Sequence, residues 1–196
     1  MLHYTAMGSA EGARDWLCNP DSGVSSHYVL ARDGTCWHLV DEEMRAWHAG
    51  AGAWGSVDDV NSRSVGIEIA NTGAEPFPEP QMAALERLMQ GIMARWSIPP
   101  ERVIGHSDMA PGRKIDPGPR FDWARLARRG LSIRPGQAAP GDFDADARRF
   151  GYVYDPANRG PVLEAFRARF RPGAEGPLDA TDRAIMADLA ARWPVA

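Results

Sequence analysis

Gly105-His106-Ser107-Asp108-Met109-Ala110-Pro111-Gly112-Arg113-Lys114-Ile115-Asp116-Pro117-Gly118-Pro119 is the stretch around which the chain is organised. It holds one imidazole, a lysine and two carboxylates among three prolines and three glycines. Proline and glycine at this density stop both a helix and a central strand, so a loop is expected rather than a regular element. Pro111 and Pro117 pre-set φ, which lowers the cost of ordering the side chains between them. His106 and Asp116 offer a nitrogen and a carboxylate oxygen, both usable by zinc. They are ten positions apart, so the loop must fold back to bring them together. One reading is a site whose groups are placed before a substrate arrives. The other is a stiff surface loop with incidental charges.

Outward from this loop the chain alternates short apolar runs with helical patterns. Val103-Ile104 is a brief strand that delivers His106. Val65 to Ala70 (VGIEIA) is an apolar strand interrupted by Glu68, where a buried carboxylate is costly unless paired or functional. The alternative is an outward-facing glutamate on a half-exposed strand. Between these, Leu85, Leu88, Met89, Ile92, Met93 and Trp96 follow i, i+3, i+4, i+7, i+8, i+11 and predict a helix over Gln81 to Trp96. Pro80 suits its first turn, and Pro99-Pro100 stops it. Earlier, Val24 to Ala31 and Thr35 to Val40 read as two strands joined at Asp33-Gly34, a hairpin dipeptide. Ser9 caps a short helix carrying Ala13, Trp16 and Leu17. Met1 to Tyr4 reads as the tail of a strand with His3 facing away from Leu2 and Tyr4. Residues 49–63 read as a loop. After the focal stretch, Asp122 caps a helix to Arg129, ended by Gly130.

Composition changes near residue 134. Arg134 to Gly141 (RPGQAAPG) reads as a linker. Three short helices are expected beyond it, over Asp142 to Phe150, Asn158 to Phe170, and Asp179 to Trp193. The division is residues 1–134 and 140–196. A chain of 196 residues with 44% hydrophobic content and a formal charge of -4 fits one ordinary domain plus a small one. There is no basic run and no nucleic-acid motif, so no nucleic-acid partner is expected. Cys18 and Cys36 are too few for a disulfide framework and lack metal-site spacing, so buried free thiols are expected. No apolar run approaches the roughly 18 residues of a membrane span. Met1-Leu2-His3-Tyr4-Thr5 carries no signal peptide, so a cytoplasmic protein is expected, with the cell envelope the alternative if a leader precedes it.

All five histidines, His3, His27, His38, His48 and His106, lie in the first part, so metal or acid–base chemistry belongs there. His38, between Trp37 and Leu39, reads as structural. His27 and His48 read either as satisfied polar groups at strand ends or as cleft residues. Glu68 reads as a general base beside a metal, and Lys114 as a cation aimed at an oxygen that becomes negative during attack.

LHYTAM at the start, VSSHYVL, AWHAG (Ala46 to Gly50), VGIEIAN (Val65 to Asn71) and GHSDMAPGRKIDPGPRFDW stand in order over residues 1 to about 130. Together they resemble the zinc-dependent N-acetylmuramoyl-L-alanine amidases of the amidase-2 type, which are related to peptidoglycan recognition proteins. The resemblance implies an α/β fold, a mixed central β-sheet flanked by helices. It implies zinc held by His3, His106 and Asp116, with Glu68 as base and Lys114 as stabiliser of the tetrahedral intermediate. Peptidoglycan or an anhydro-muropeptide is the implied substrate, cut between N-acetylmuramic acid and L-alanine. His27, Trp47, His48 and Asn71 are expected at the cleft wall as substrate contacts. Phe150-Gly151-Tyr152 and LEAFRARFRPG (Leu163 to Gly173) resemble a three-helix peptidoglycan-binding domain. The alternative there is a helical extension that packs on the catalytic part. A non-catalytic recognition module and a zinc peptidase are the rival functions, although the peptidase signature H-E-x-x-H is absent.

Overall fold

The computed structural model describes residues 1–195. Four three-residue strands form one mixed sheet: β1 Leu2–Tyr4, β2 Tyr28–Leu30, β3 Cys36–His38 and β4 Ile67–Ile69, in the order β1-β4-β2-β3. β1 and β2 run parallel to β4, and β2 and β3 form the antiparallel hairpin. Asp33 Oδ1 accepts from Thr35 N at 2.8 Å and closes its turn, as the dipeptide predicts.

The strands are shorter than their apolar runs. Ser25 donates its N–H to Trp47 O at 3.1 Å, and the Ser26 hydroxyl donates to Gly66 O at 2.9 Å. Residues before Tyr28 therefore bond to loops instead of extending the ladder. Val103-Ile104 forms no strand. Its neighbour Gly105 makes a single parallel bridge to Leu2, and Leu2 N donates to Ile104 O at 2.9 Å.

Helix α1 (Ala10–Cys18) is capped by the Ser9 hydroxyl on Gly12 N. Helix α2 (Glu79–Trp96) carries Pro80 in its first turn and lays Met82, Leu85, Met89 and Ile92 on one face of the sheet. Leu2, Ile67, Ile69, Tyr28 and Leu30 complete that core. Each such fully buried aliphatic side chain contributes about 2 kcal/mol. Trp96 departs from the expected stripe: it is 45% exposed, and its indole N–H donates to Glu42 at 2.6 Å. Period 2 in the strands sends Leu2 and Ile67 to the α2 side and His3 and Glu68 to the opposite side. The sheet thus has a packed face and a chemical face.

The focal stretch is not wholly irregular. Its first residues form one helical turn, α3 (His106–Met109), before the prolines take over. Helices α4 (Trp123–Arg128), α5 (Phe143–Phe150), α6 (Gly160–Phe170) and α7 (Ala180–Arg192) follow. Asp122, Asp142 and Asp179 cap α4, α5 and α7 with their carboxylates. A second core joins the two ends of the chain, with Trp54, Val60, Ile104 and Met109 packed against Phe143, Phe150, Tyr152, Phe166 and Leu189. Cys18 and Cys36 are exposed, not buried: Cys18 is the last residue of α1 and Cys36 the first of the edge strand β3. Among the described residues, no helix is long and apolar enough to cross a membrane.

Candidate active site

The parallel pairing of β1 with β4 sets His3 directly opposite Glu68. On the other edge of β1, the Leu2–Gly105 bridge brings α3 alongside, and His106 is its first residue. The chain then returns. Arg113 N and Lys114 N both bond to Ala110 O, and Ser107 N donates to Asp116 O at 2.9 Å. Gly105 permits this fold-back, since a Cβ there would lie 2.7 Å from Pro117 Cδ.

Three buried donor atoms meet as a result. His3 Nδ1 lies 2.9 Å from His106 Nδ1 and 3.0 Å from Asp116 Oδ2, and the third side of the triangle is 3.1 Å. Their far-side partners assign the protons. The Ser64 hydroxyl donates to Val60 O at 2.6 Å, so at 3.3 Å it can only accept from His48 Nε2. His48 Nε2 therefore carries the proton and Nδ1 is bare. His3 Nε2, 3.1 Å from that Nδ1, must then donate, which leaves His3 Nδ1 bare. His106 Nε2 lies 2.7 Å from the Ala49 carbonyl, which can only accept, so His106 Nδ1 is bare too. Two imidazole lone pairs and a carboxylate thus face one point with no proton to share. Such a donor set fits a divalent cation of borderline softness, and the partners that fix the tautomers are what metal-binding histidines need.

The electrostatics agree. Burial, partly offset by the neighbouring Asp116 carboxylate, lowers the His3 pKa to about 4, so the ring is neutral. Burial also holds His48 well below the usual imidazole range. At Asp116 burial works toward a higher value, but the His106 and His3 rings beside it hold the carboxyl well below its ordinary value. Glu68 Oε1 lies 4.0 Å from His3 Nδ1. Burial, and then the charge of Asp116, push its pKa up to about 8, with Lys114 acting in the opposite direction.

These groups open on a cleft of about 530 Å³ lined by His3, Tyr4, Trp16, Ser25, Trp47, His48, Glu68, His106, Arg113, Lys114 and Asp116, among others. A more apolar cavity between α2 and residues 54–65 holds none of the three donor atoms.

Of the cleft-wall expectations, Trp47 and His48 line it and His27 and Asn71 do not. His27 is fully buried, with Nε2 3.1 Å from Met44 O and Nδ1 accepting from Gly66 N at 2.9 Å. Asn71 accepts from Gly73 N at 2.7 Å and donates to Glu75 O at 3.3 Å. Both side chains satisfy backbone groups at strand ends and neither lines the cleft. His38 is half exposed and stacks on Tyr28 with ring centroids 4.8 Å apart. Trp47 is 55% exposed, with the Arg45 guanidinium 4.1 Å from its ring centroid.

Sequence reasoning missed Tyr4, Trp16 and Arg113. The sequence reading places Trp16 on α1 beside Ala13 and Leu17 without a role; only Ala10 and Ala13 are buried there and Trp16 lines the cleft. Arg113 clamps the loop by donating to the Ala49 and Ala51 carbonyls. Its position beside Lys114 was the available signal.

Residues 1–119 match the family described as N-acetylmuramoyl-L-alanine amidase. The chain belongs to that family. It is 34% identical to N-acetylmuramoyl-L-alanine amidase AmiD of Escherichia coli over 229 aligned positions, covering 98% of this chain and 82% of the relative. It is 37% identical over 103 positions to 1,6-anhydro-N-acetylmuramyl-L-alanine amidase AmpD of Enterobacter cloacae, covering 53% of this chain and 55% of the relative. Among solved structures, AmiD from E. coli in complex with anhydro-N-acetylmuramic acid-L-Ala-D-gamma-Glu-L-Lys superposes with a TM-score of 0.89 at 33% identity, covering 98% of this chain and 88% of that one. AmpDh3 from Pseudomonas aeruginosa in complex with anhydromuramic pentapeptide gives 0.88 at 31% identity, covering 99% and 91%. The similarity to AmiD and AmpDh3 therefore runs through the C-terminal helices as well as the amidase fold. The chain is an amidase, acting between N-acetylmuramic acid and L-alanine.

Proposed function

We propose that this amidase is zinc-dependent and cleaves anhydro-muropeptides, with zinc held by His3, His106 and Asp116. One observation carries the metal reading: three bare donor atoms converge within 3.1 Å of one another at the floor of the cleft. A zinc ion held there supplies a Lewis acid that polarises a carbonyl and acidifies water. The protein's own groups do the rest. Glu68 takes the proton of the attacking water and returns it to the nitrogen of L-alanine as the C–N bond breaks. The lactyl side leaves as a carboxylic acid and the stem peptide as a free amine. Lys114 offsets the charge that develops on the carbonyl oxygen. His48 holds His3 in the tautomer that keeps Nδ1 free, and Trp47 forms the exposed aromatic wall. The substrate class rests on AmiD and AmpDh3, whose structures contain anhydromuramyl peptides.

Incubation with a purified anhydro-muropeptide should release the stem peptide with a free L-alanine amine, seen by mass spectrometry. Asp116→Ala should abolish that release and leave less than a tenth of the wild-type zinc on elemental analysis. Full zinc occupancy in that variant would remove Asp116 from the ligand set. Peptide products cut elsewhere in the stem would favour a peptidase.

A further inference from the structure

His106 is held on one side by the donor cluster and on the other through Asp108, two residues further along α3. Asp108 is only 1% exposed. Its Oδ2 accepts from Gly105 N at 2.8 Å, the backbone position just before His106. The same Oδ2 accepts from Arg169 Nη1 at 2.8 Å, and Oδ1 accepts from the Tyr152 hydroxyl at 2.7 Å. Arg169 Nη2 donates to Val103 O at 2.7 Å. One guanidinium thus grips both ends of the Val103–Asp108 segment, with His106 between. Tyr152, two residues past the end of α5, and Arg169, in α6, lie 44 and 61 residues beyond Asp108.

Stability does not account for this arrangement. A buried ion pair is weak evidence for stability, because an apolar trio of similar volume commonly does as well. Arg169 also carries a buried Nε with no partner, an added cost. What the pair does supply is direction. Its forked donors define where Asp108 sits, and Asp108 defines where α3 begins. Packing stiffens the fork, since the guanidinium carbon lies 4.7 Å from the Trp123 ring centroid and 4.6 Å from that of Phe170. Both C-terminal residues are at most 5% exposed, so neither is available to touch a glycan.

We propose that Tyr152 and Arg169 are positioning residues for the metal loop, so that the C-terminal helices brace His106 through Asp108. Catalysis then depends on these helices even for a substrate too small to reach them. The inference rests on zinc binding at His3, His106 and Asp116. Outer partners of metal ligands commonly change metal affinity by about 10–100-fold.

The test uses the full chain and Zn²⁺ alone as probe, by competition with a chromophoric chelator, alongside turnover of a small anhydro-muropeptide. Tyr152→Phe removes one hydroxyl and keeps the ring packing. It should weaken Zn²⁺ about tenfold and lower kcat comparably, with KM within about twofold. The visible spectrum of the Co²⁺-loaded protein should shift, since the ligand field senses His106. Arg169→Met should do more, and Arg169→Lys should restore part of the loss. Arg159→Gln breaks an ion pair to Asp144 within the same helices and should leave Zn²⁺ affinity and kcat unchanged. If Arg169→Met does not fold, Tyr152→Phe decides alone. Folded variants with wild-type Zn²⁺ affinity, spectrum and kcat would overturn the brace, as would an equal loss in Arg159→Gln. A wild-type protein that binds no Zn²⁺ would instead sink the metal reading, and the brace with it.

Discussion

Glu68 meets two demands that pull against each other. The strand around it, Ile67 and Ile69, is buried in the core under α2. Its own carboxylate turns to the opposite face, where burial makes ionisation costly and the cleft makes a proton acceptor useful. The structure reconciles them by period 2 alone, with no distortion of the strand. Glu68→Gln keeps the shape and removes the proton acceptor. It should keep wild-type zinc content on elemental analysis and lose about 10²–10⁴-fold in kcat. A variant within threefold of wild type would end the base assignment. His48 shows the same economy of placement. Its ring sits so close to Gly66 that a Cβ there would lie 2.4 Å from it, so only glycine lets the imidazole reach His3.

At the level of elements, the hairpin and α2 are tied by Glu42. Its side chain is 8% exposed and accepts from the Tyr28 hydroxyl, the Trp96 indole and the Arg95 guanidinium. Hydrogen bonding from Arg95, more than the opposing cost of burial, lowers its pKa to about 2 from 4.5. A depressed folded-state value means the unfolded chain takes up the proton first. The tie therefore contributes fully above pH 4.5 and is lost as pH falls toward 2. Arg95 is about half exposed, so solvent screens part of the pair. Glu42→Gln should flatten the pH dependence of unfolding free energy between pH 4.5 and about 2, where one proton allows at most about 1.4 kcal/mol per pH unit. Urea titrations at several pH values would measure it. Parallel curves for wild type and variant would show that Glu42 is not the titrating tie.

At the scale of the whole molecule, the two ends of the chain share one core. Trp54 packs edge-on against Tyr152 with centroids 5.0 Å apart, and Gly55 N donates to Gly151 O at 2.8 Å. Gly151, at φ 141°, leaves no room for a side chain, since a Cβ would lie 2.4 Å from the Trp54 ring. A chain ending at Arg134 would uncover Trp54, Val60, Ile104 and Met109. At about 1.5–3 kcal/mol for each large side chain, that loss rivals the 5–15 kcal/mol that holds a typical domain together. The truncated chain should aggregate or lose its cooperative thermal transition. A soluble fragment melting at the wild-type temperature would show that the first part folds alone.

Local chemistry made much of this legible in the sequence. Asp33-Gly34 announced the hairpin, the apolar period marked α2, and Asp122 and Asp179 announced the starts of two helices, because caps and turns depend on residues a few positions apart. His106, Asp116, Lys114 and Glu68 stood out as polar groups where packing alone would not put them. Tertiary structure decided what depends on neighbours far along the chain. It set His3 against Glu68 through strand register, and it took His27 and Asn71 from the cleft to satisfy backbone groups. It also turned Arg169, one of two arginines on its helix, into the partner of Asp108. Such roles follow from which atoms lack a partner once the chain has folded, and no local pattern records that.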